Sequence, residues 1–363
     1  MFEKQRILNI IKKKSGQVAH LSEELACNKD FIYECIYYEP FILSLASNEL
    51  RNDKDFLISA MHIYGYCLEY APKKFQNDKD VVLAAISTHP LSIAYCSPRL
   101  TNDLDIAMTV VSLNGNCLSY LSPELRDNKS VVLKALSNFG LALEKASSRL
   151  KNDKDVVITA IKENWCSLQY ASEELLNDEE IALVAVKIDI NTLAFLTEEI
   201  CSNKKVALAA LNNNTEALEF LDKKFTEDRE TMLIAVSQDG LAIQYASEEL
   251  KKDKELVKIA LEHSPTSFNF LPAEIQDDVE IIHFATSQNI NLLAQLSEDK
   301  QKDISLLKIL KEKQDDVAHY LQDWLGERMS YLSIIEENNW MEQSIPITNN
   351  ERNDLIKYKP KKF

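Results

Sequence analysis

Glycine is scarce in this chain, with six residues in 363, and so is histidine, also with six. Phosphate-cradling loops and dinucleotide fingerprints are built on clustered glycines, and little material for either is present. The histidines (His20, His62, His89, His263, His283 and His319) form no i, i+3 or i, i+4 pair with a carboxylate partner, which removes the usual helical zinc arrangement. No G-x-S-x-G stands anywhere, and the seven cysteines include no C-x-x-C pair. Several cysteines occupy slots that other segments fill with Ala, Leu or Ser, so they read as small buried residues of a reducing compartment. No apolar run approaches the ~20 residues that span a bilayer, and Met1 to Lys14 is too broken for a signal peptide. Cations are outnumbered, 41 Lys and Arg against 57 Asp and Glu, a net charge of -16 that repels nucleic acid and anionic membranes at long range. These absences predict a cytoplasmic protein, in its own cell or a host cell, with no catalytic motif, cofactor or metal.

What the chain has is repetition. An Asp or Asn recurs every twenty-five residues, twelve times without insertion or deletion: Asn28, Asp53, Asp78, Asp103, Asn128, Asp153, Asp178, Asn203, Asp228, Asp253, Asp278 and Asp303. Three residues before each anchor stands a large apolar residue, Lys300 being the exception, and six before stands Ser, Thr or Asp, replaced by Pro72 and Pro272 in two copies. A unit this short cannot bury its own apolar face and must stack on its neighbours, which predicts a solenoid instead of a globule.

Downstream of each anchor the apolar residues fall at helical spacing, as in Val81, Val82, Ala85 and Ile86. The anchor is placed to cap this helix of about ten residues, and a second acid two positions on favours the positive end of the helix dipole. Ala recurs seven residues after the anchor, small enough for helices of adjacent copies to approach closely. Gly or Pro then ends the helix in seven copies, and four of the six glycines (Gly65, Gly115, Gly140, Gly240) occupy that slot. A second, shorter helix follows, carrying an aromatic residue in eight copies: Tyr70, Tyr95, Tyr120, Tyr170, Phe195, Phe220, Tyr245 and Phe270. This column is expected to be half-buried packing. The Lys column one residue after the anchor is expected to be a solvated, self-compensating face.

The phrases Leu168 to Leu175 (L-x-Y-A-S-E-E-L) and Asn152 to Val157 (N-D-K-D-V-V) resemble a short helical repeat family catalogued as a domain of unknown function, whose unit of about fifty residues equals two of these periods. The resemblance covers about residues 16 to 303 and fades in the last two copies, where Thr286, Lys300 and Lys308 hold apolar slots. It implies an all-α solenoid and no catalytic residues. Members resembling this chain occur in bacteria that live inside eukaryotic cells and in large viruses, so the resemblance implies a host-directed or interaction protein.

The predicted organisation is an N-terminal cap at 1–15, a continuous solenoid at 16–303, capping helices at 304–340 and a polar tail without fixed structure at 341–363. The pair of residues following the Ser cap drifts in charge along the chain, basic at Lys73, Lys74, Arg99 and Arg149, then acidic at Glu173, Glu174, Glu198, Glu199, Glu248 and Glu249. Held at one position in each copy, it predicts a ridge that a protein partner reads. Trp165, in the Gly/Pro slot, is the candidate contact anchor. The reading is a monomeric, non-enzymatic interaction scaffold. The alternatives are an enzyme with an unrecognised site in the C-terminal region or solenoid groove, and, more weakly, a nucleotide or nucleic-acid binder that stacks bases on the aromatic column.

Overall fold

The computed structural model describes residues 2–13, 18–289, 292 and 296. The expected capping helices, the polar tail and the twelfth anchor, Asp303, lie outside them. The chain divides into two compact units, Met1–Asp222 and Lys223–Phe363. Each is an all-α stack, and no strand occurs among the described residues.

One copy shows the logic. Asp153 has extended backbone, and its carboxylate accepts the Val156 amide at 3.2 Å, satisfying one of the donors that a helix N-terminus leaves without a partner. The long helix Lys154–Glu163 buries Val156, Val157, Ala160 and Ile161 completely. Each of the larger three contributes about 1.5–3 kcal/mol by leaving water. The chain turns at Asn164 into Trp165–Tyr170, the shorter second helix that the spacing predicted, which is a 3-10 helix. Ser172 then caps the single turn Glu173–Leu176 by accepting the Leu175 amide, which carries Leu175 into the core ahead of Asp178. All eleven anchors among the described residues accept first-turn amides in this way.

In unit one the long helices from Lys29–Ile36 to Lys204–Leu211 form one layer, each packed on the next, and the 3-10 helices from Pro40–Leu45 to Thr215–Glu219 form the second. The helix Phe2–Lys13 packs on Lys29–Ile36, where Lys4 and Lys12 both reach Glu34. In unit two Arg229–Gln238, Lys254–His263 and Val279–Gln288 stack likewise, beside Gly240–Tyr245 and Pro265–Phe270. The periodic alanines are sealed between layers, Ala135, Ala160 and Ala260 having no exposed surface.

The glycines of the turn slot serve closeness of approach. A Cβ on Gly140 would lie 2.6 Å from the Ala160 carbonyl oxygen and 3.0 Å from the Asn164 amide nitrogen of the following copy. That copy also closes the end of the helix before it: Asn138 and Asn213 donate to the carbonyls of Val111 and Val186, and the Thr88 hydroxyl donates to that of Met61.

Candidate interaction surfaces

Three lanes of polar and aromatic side chains run along the copies within each unit. The first follows the anchors. Lys129 reaches Asp153 at 2.8 Å and Asp155 at 2.9 Å in the next copy, and Lys54, Lys79, Lys154, Arg229 and Lys254 repeat the arrangement with the anchor and first-turn acid that follow them. The column expected to be a solvated face is therefore a stitch between copies.

Two interruptions show how specific the stitch is. Where Leu104 replaces the cation, the next copy has Asn128 and Ser130 in place of the two acids. Where Glu179 reverses the charge, the next copy answers with Lys205 at 3.0 Å and with the Asn203 amide at 2.8 Å. Elsewhere the cations hold the anchors ionised. Lys254 and Arg229 keep the carboxyls of Asp278 and Asp253 below the usual carboxylate range. At Asp153, burial opposes ionisation but is outweighed by Lys129 and the Val156 amide.

The second lane is the expected ridge. Lys73, Lys74, Arg99, Arg149, Glu173, Glu174, Glu198 and Glu199 of unit one, and Glu248 and Glu249 of unit two, are all exposed. Much of their charge is directed along the chain. The Arg99 guanidinium donates to the side chain and backbone carbonyls of Asn77, and Arg149 does the same to Asp127. Asn152 and Asn177 donate to Glu174 and Glu199, each 22 residues on. Lys73 donates to Gln76, Lys74 lies over the Phe75 ring, and Glu248 and Glu249 pair with Lys251 and Lys252.

Beside the ridge, the Ser caps do double duty. The hydroxyls of Ser122, Ser147 and Ser172 donate to Asn102, Asp127 and Asn152, and their amides donate to carbonyls of the previous copy. Pro72 and Pro272 lack both donors. In these two copies Gln76 and Gln276 instead bond within the copy, their amides donating to the carbonyls of Leu68 and Phe268.

The third lane is the aromatic column on the 3-10 helices. Tyr70, Tyr95, Tyr170 and Phe195 are half-buried, while Tyr120 and Phe270 remain 42% and 40% exposed. Trp165, expected as an exposed anchor, is half-buried because it stacks on Phe195 of the next copy, centroids 5.8 Å apart. Contact of one copy's ring with the next copy's column recurs at Phe41 and Tyr70 (5.7 Å) and at Tyr66 and Tyr95 (6.5 Å). His89 packs on Tyr64 and Tyr66, and its Nδ1 accepts the Gly65 amide at 3.1 Å, so this nitrogen is unprotonated and burial lowers its basicity.

Three of the thiols have their nucleophilicity suppressed by burial. Burial pushes the thiols of Cys35 and Cys67 up to about 12 and that of Cys117 to about 11. Among the described residues no three His, Cys, Asp or Glu side chains come together as a metal cluster, and no helix is long and apolar enough to cross a membrane.

Sequence reasoning missed both stitches. Their signal is present as complementary residues 22, 24 and 26 apart, visible only when neighbouring copies are read against each other instead of down one column. No curated protein and no solved structure matches the chain. One family profile does, at residues 28–76, 53–101, 78–126, 128–176, 178–226 and 228–276, every match beginning on an anchor and spanning two periods. Together these matches cover residues 28–276, apart from 127, 177 and 227, with the register that the caps define, and the chain belongs to the family described as Domain of unknown function (DUF4116).

Proposed function

We propose that this repeat protein is a non-enzymatic interaction scaffold whose partner is another protein. The observation that carries this reading is the aromatic column. Copy after copy holds a Tyr or Phe at the same place on a 3-10 helix, with part of the ring left in water, whereas the anchors, caps and much of the ridge charge are engaged between copies. Large aromatic side chains on a rigid support are the commonest energetic anchors of protein interfaces. A phosphate backbone is a poor fit to the same surface, since Glu69 and the net charge of -16 oppose it. The finer reading, a host-directed effector whose partner would belong to a host cell, is supported by the family resemblance alone.

The test is affinity capture from cytosolic extract, comparing wild type with a variant carrying Tyr95→Ala and Tyr120→Ala, followed by mass spectrometry and reconstitution with purified candidates. A protein that binds wild type stoichiometrically and is lost from the variant supports the scaffold. Turnover of a small molecule by the purified chain, with no protein bound, would replace it with the enzymatic reading.

A further inference from the structure

On the first four six-residue 3-10 helices of unit one the aromatic column carries one sign of charge. Pro40–Leu45, Gly65–Tyr70, Pro90–Tyr95 and Gly115–Tyr120 contain no Lys or Arg, and the first cation in the column is Lys145. Their single carboxylate, Glu69, is exposed, and its negative charge acts on both Tyr70 and Tyr95. Burial first, and Glu69 second, raise both phenols above the usual tyrosine range, so the hydroxyls stay neutral donors beside a negative charge. Phe41 meets Tyr70 edge-on, Tyr66 meets Tyr95 edge-on, and Tyr120 extends the stripe with 42% of its surface in water.

Two features select the occupant. Packed helices lie about 8–10 Å apart, so equivalent rings recur at about that interval along the stripe. A polyproline II segment advances about 3.1 Å per residue and presents the same side every third residue, about 9.3 Å on. Proline rings lie flat on aromatic side chains, and the preformed backbone loses little entropy on docking. The charge of the stripe selects cations, since guanidinium groups are drawn to ring faces and to Glu69. We propose that the stripe from Phe41 to Tyr120 binds an extended, proline-containing basic segment of a partner protein, one proline or arginine per copy. This rests on the scaffold reading and assigns that scaffold its ligand class.

The probe is a fluorescein-labelled peptide of four Pro-Pro-Arg triplets, titrated with the full chain at low salt by fluorescence anisotropy. Saturable binding is expected, weakened at least tenfold by Tyr95→Ala with Tyr120→Ala and severalfold by Glu69→Gln. Paired Tyr95→Phe and Tyr120→Phe should retain most of it, which guards against misfolding of the alanine variant. Glu198→Gln, which removes an acid outside the stripe, should change nothing. Equal affinity for a Gly-Ser-Arg peptide of the same charge, equal weakening by Glu198→Gln, or competition by oligothymidylate would each overturn the proposal. Should the peptide fail while a captured protein still requires Tyr95 and Tyr120, the scaffold stands and this ligand class falls. Should capture be indifferent to both tyrosines, the stripe is not the recognition face.

Discussion

Asp153 performs two jobs that substitution separates. Its carboxylate caps Lys154–Glu163 through the Val156 amide, and it takes the Lys129 ammonium at 2.8 Å. Asp153→Ala removes both and leaves a helix N-terminus short of an acceptor, which costs about 0.5–2 kcal/mol for the cap alone. Asp153→Asn removes only the ion pair, because Asn128 and Asn203 show that an amide oxygen caps this helix equally well. The two losses differ in salt dependence. At about 1 M salt the Debye length is ~3 Å, so the Asn variant should approach wild type while the Ala variant stays destabilised.

They differ in pH dependence as well. The folded carboxyl titrates below its ordinary value of about 3.9, so its contribution is present above that value and fades as pH falls through the folded pKa. Neither variant retains that loss. Urea titrations followed by circular dichroism, at low and high salt, give the comparison, and hydrogen exchange of 154–163 localises it, since stacked repeats open locally. An Ala variant as stable as wild type, or an Asn variant equally costly in high salt, would refute the assignment of the anchor as a cap.

Lys129→Glu should destabilise by facing Asp153 and Asp155 with a third carboxylate, and adding Asp153→Asn with Asp155→Lys should restore the urea midpoint, because it rebuilds the Glu179, Asn203 and Lys205 arrangement; absence of recovery would break the reciprocal reading. Gly140→Ala should cost about 1–3 kcal/mol of overpacking against Ala160 and Asn164, although relief of unfolded-chain entropy alone would stabilise by about 0.4–1 kcal/mol, so a raised melting temperature would show that the copies are not in tight contact there. His89 is less basic folded than unfolded, so its contribution is complete above about pH 6.5 and is lost as pH falls below that through the folded pKa; melting temperatures across that window should slope upward with pH, and His89→Gln should flatten them.

The layer of long helices was legible because capping and close packing each demand one residue type at one place. An Asp or Asn with extended backbone and an Ala seven residues on say where the helix begins and where its neighbour touches. The second layer was legible in position but not in geometry. Six residues between two turns are too few to show a helical period, although apolar residues three apart, as at Leu68 and Ala71, suit the three residues per turn of a 3-10 helix. The glycines were read as helix stops, yet their necessity comes from the next copy's Ala carbonyl, which lies twenty residues away in sequence.

The ridge was legible as surface, but its drift in charge has a nearer cause than a partner. Arg149 stands where Asp127 precedes it, and Glu274 stands where Lys252 does. Asn77 accepts from Arg99, whereas Asn152 and Asn177 donate to Glu174 and Glu199, an amide serving either sign. The preceding copy thus constrains these positions, as it constrains Asn128 and Lys205 in the other stitch. A residue whose identity answers to its neighbour carries less information about an outside molecule. Apart from Tyr95, which feels Glu69 of the preceding copy, the rings from Phe41 to Tyr120 answer to no such charge complement, and stability alone does not require Tyr120 to keep two-fifths of its surface in water. That difference moves the expected recognition face from the ridge to the aromatic stripe.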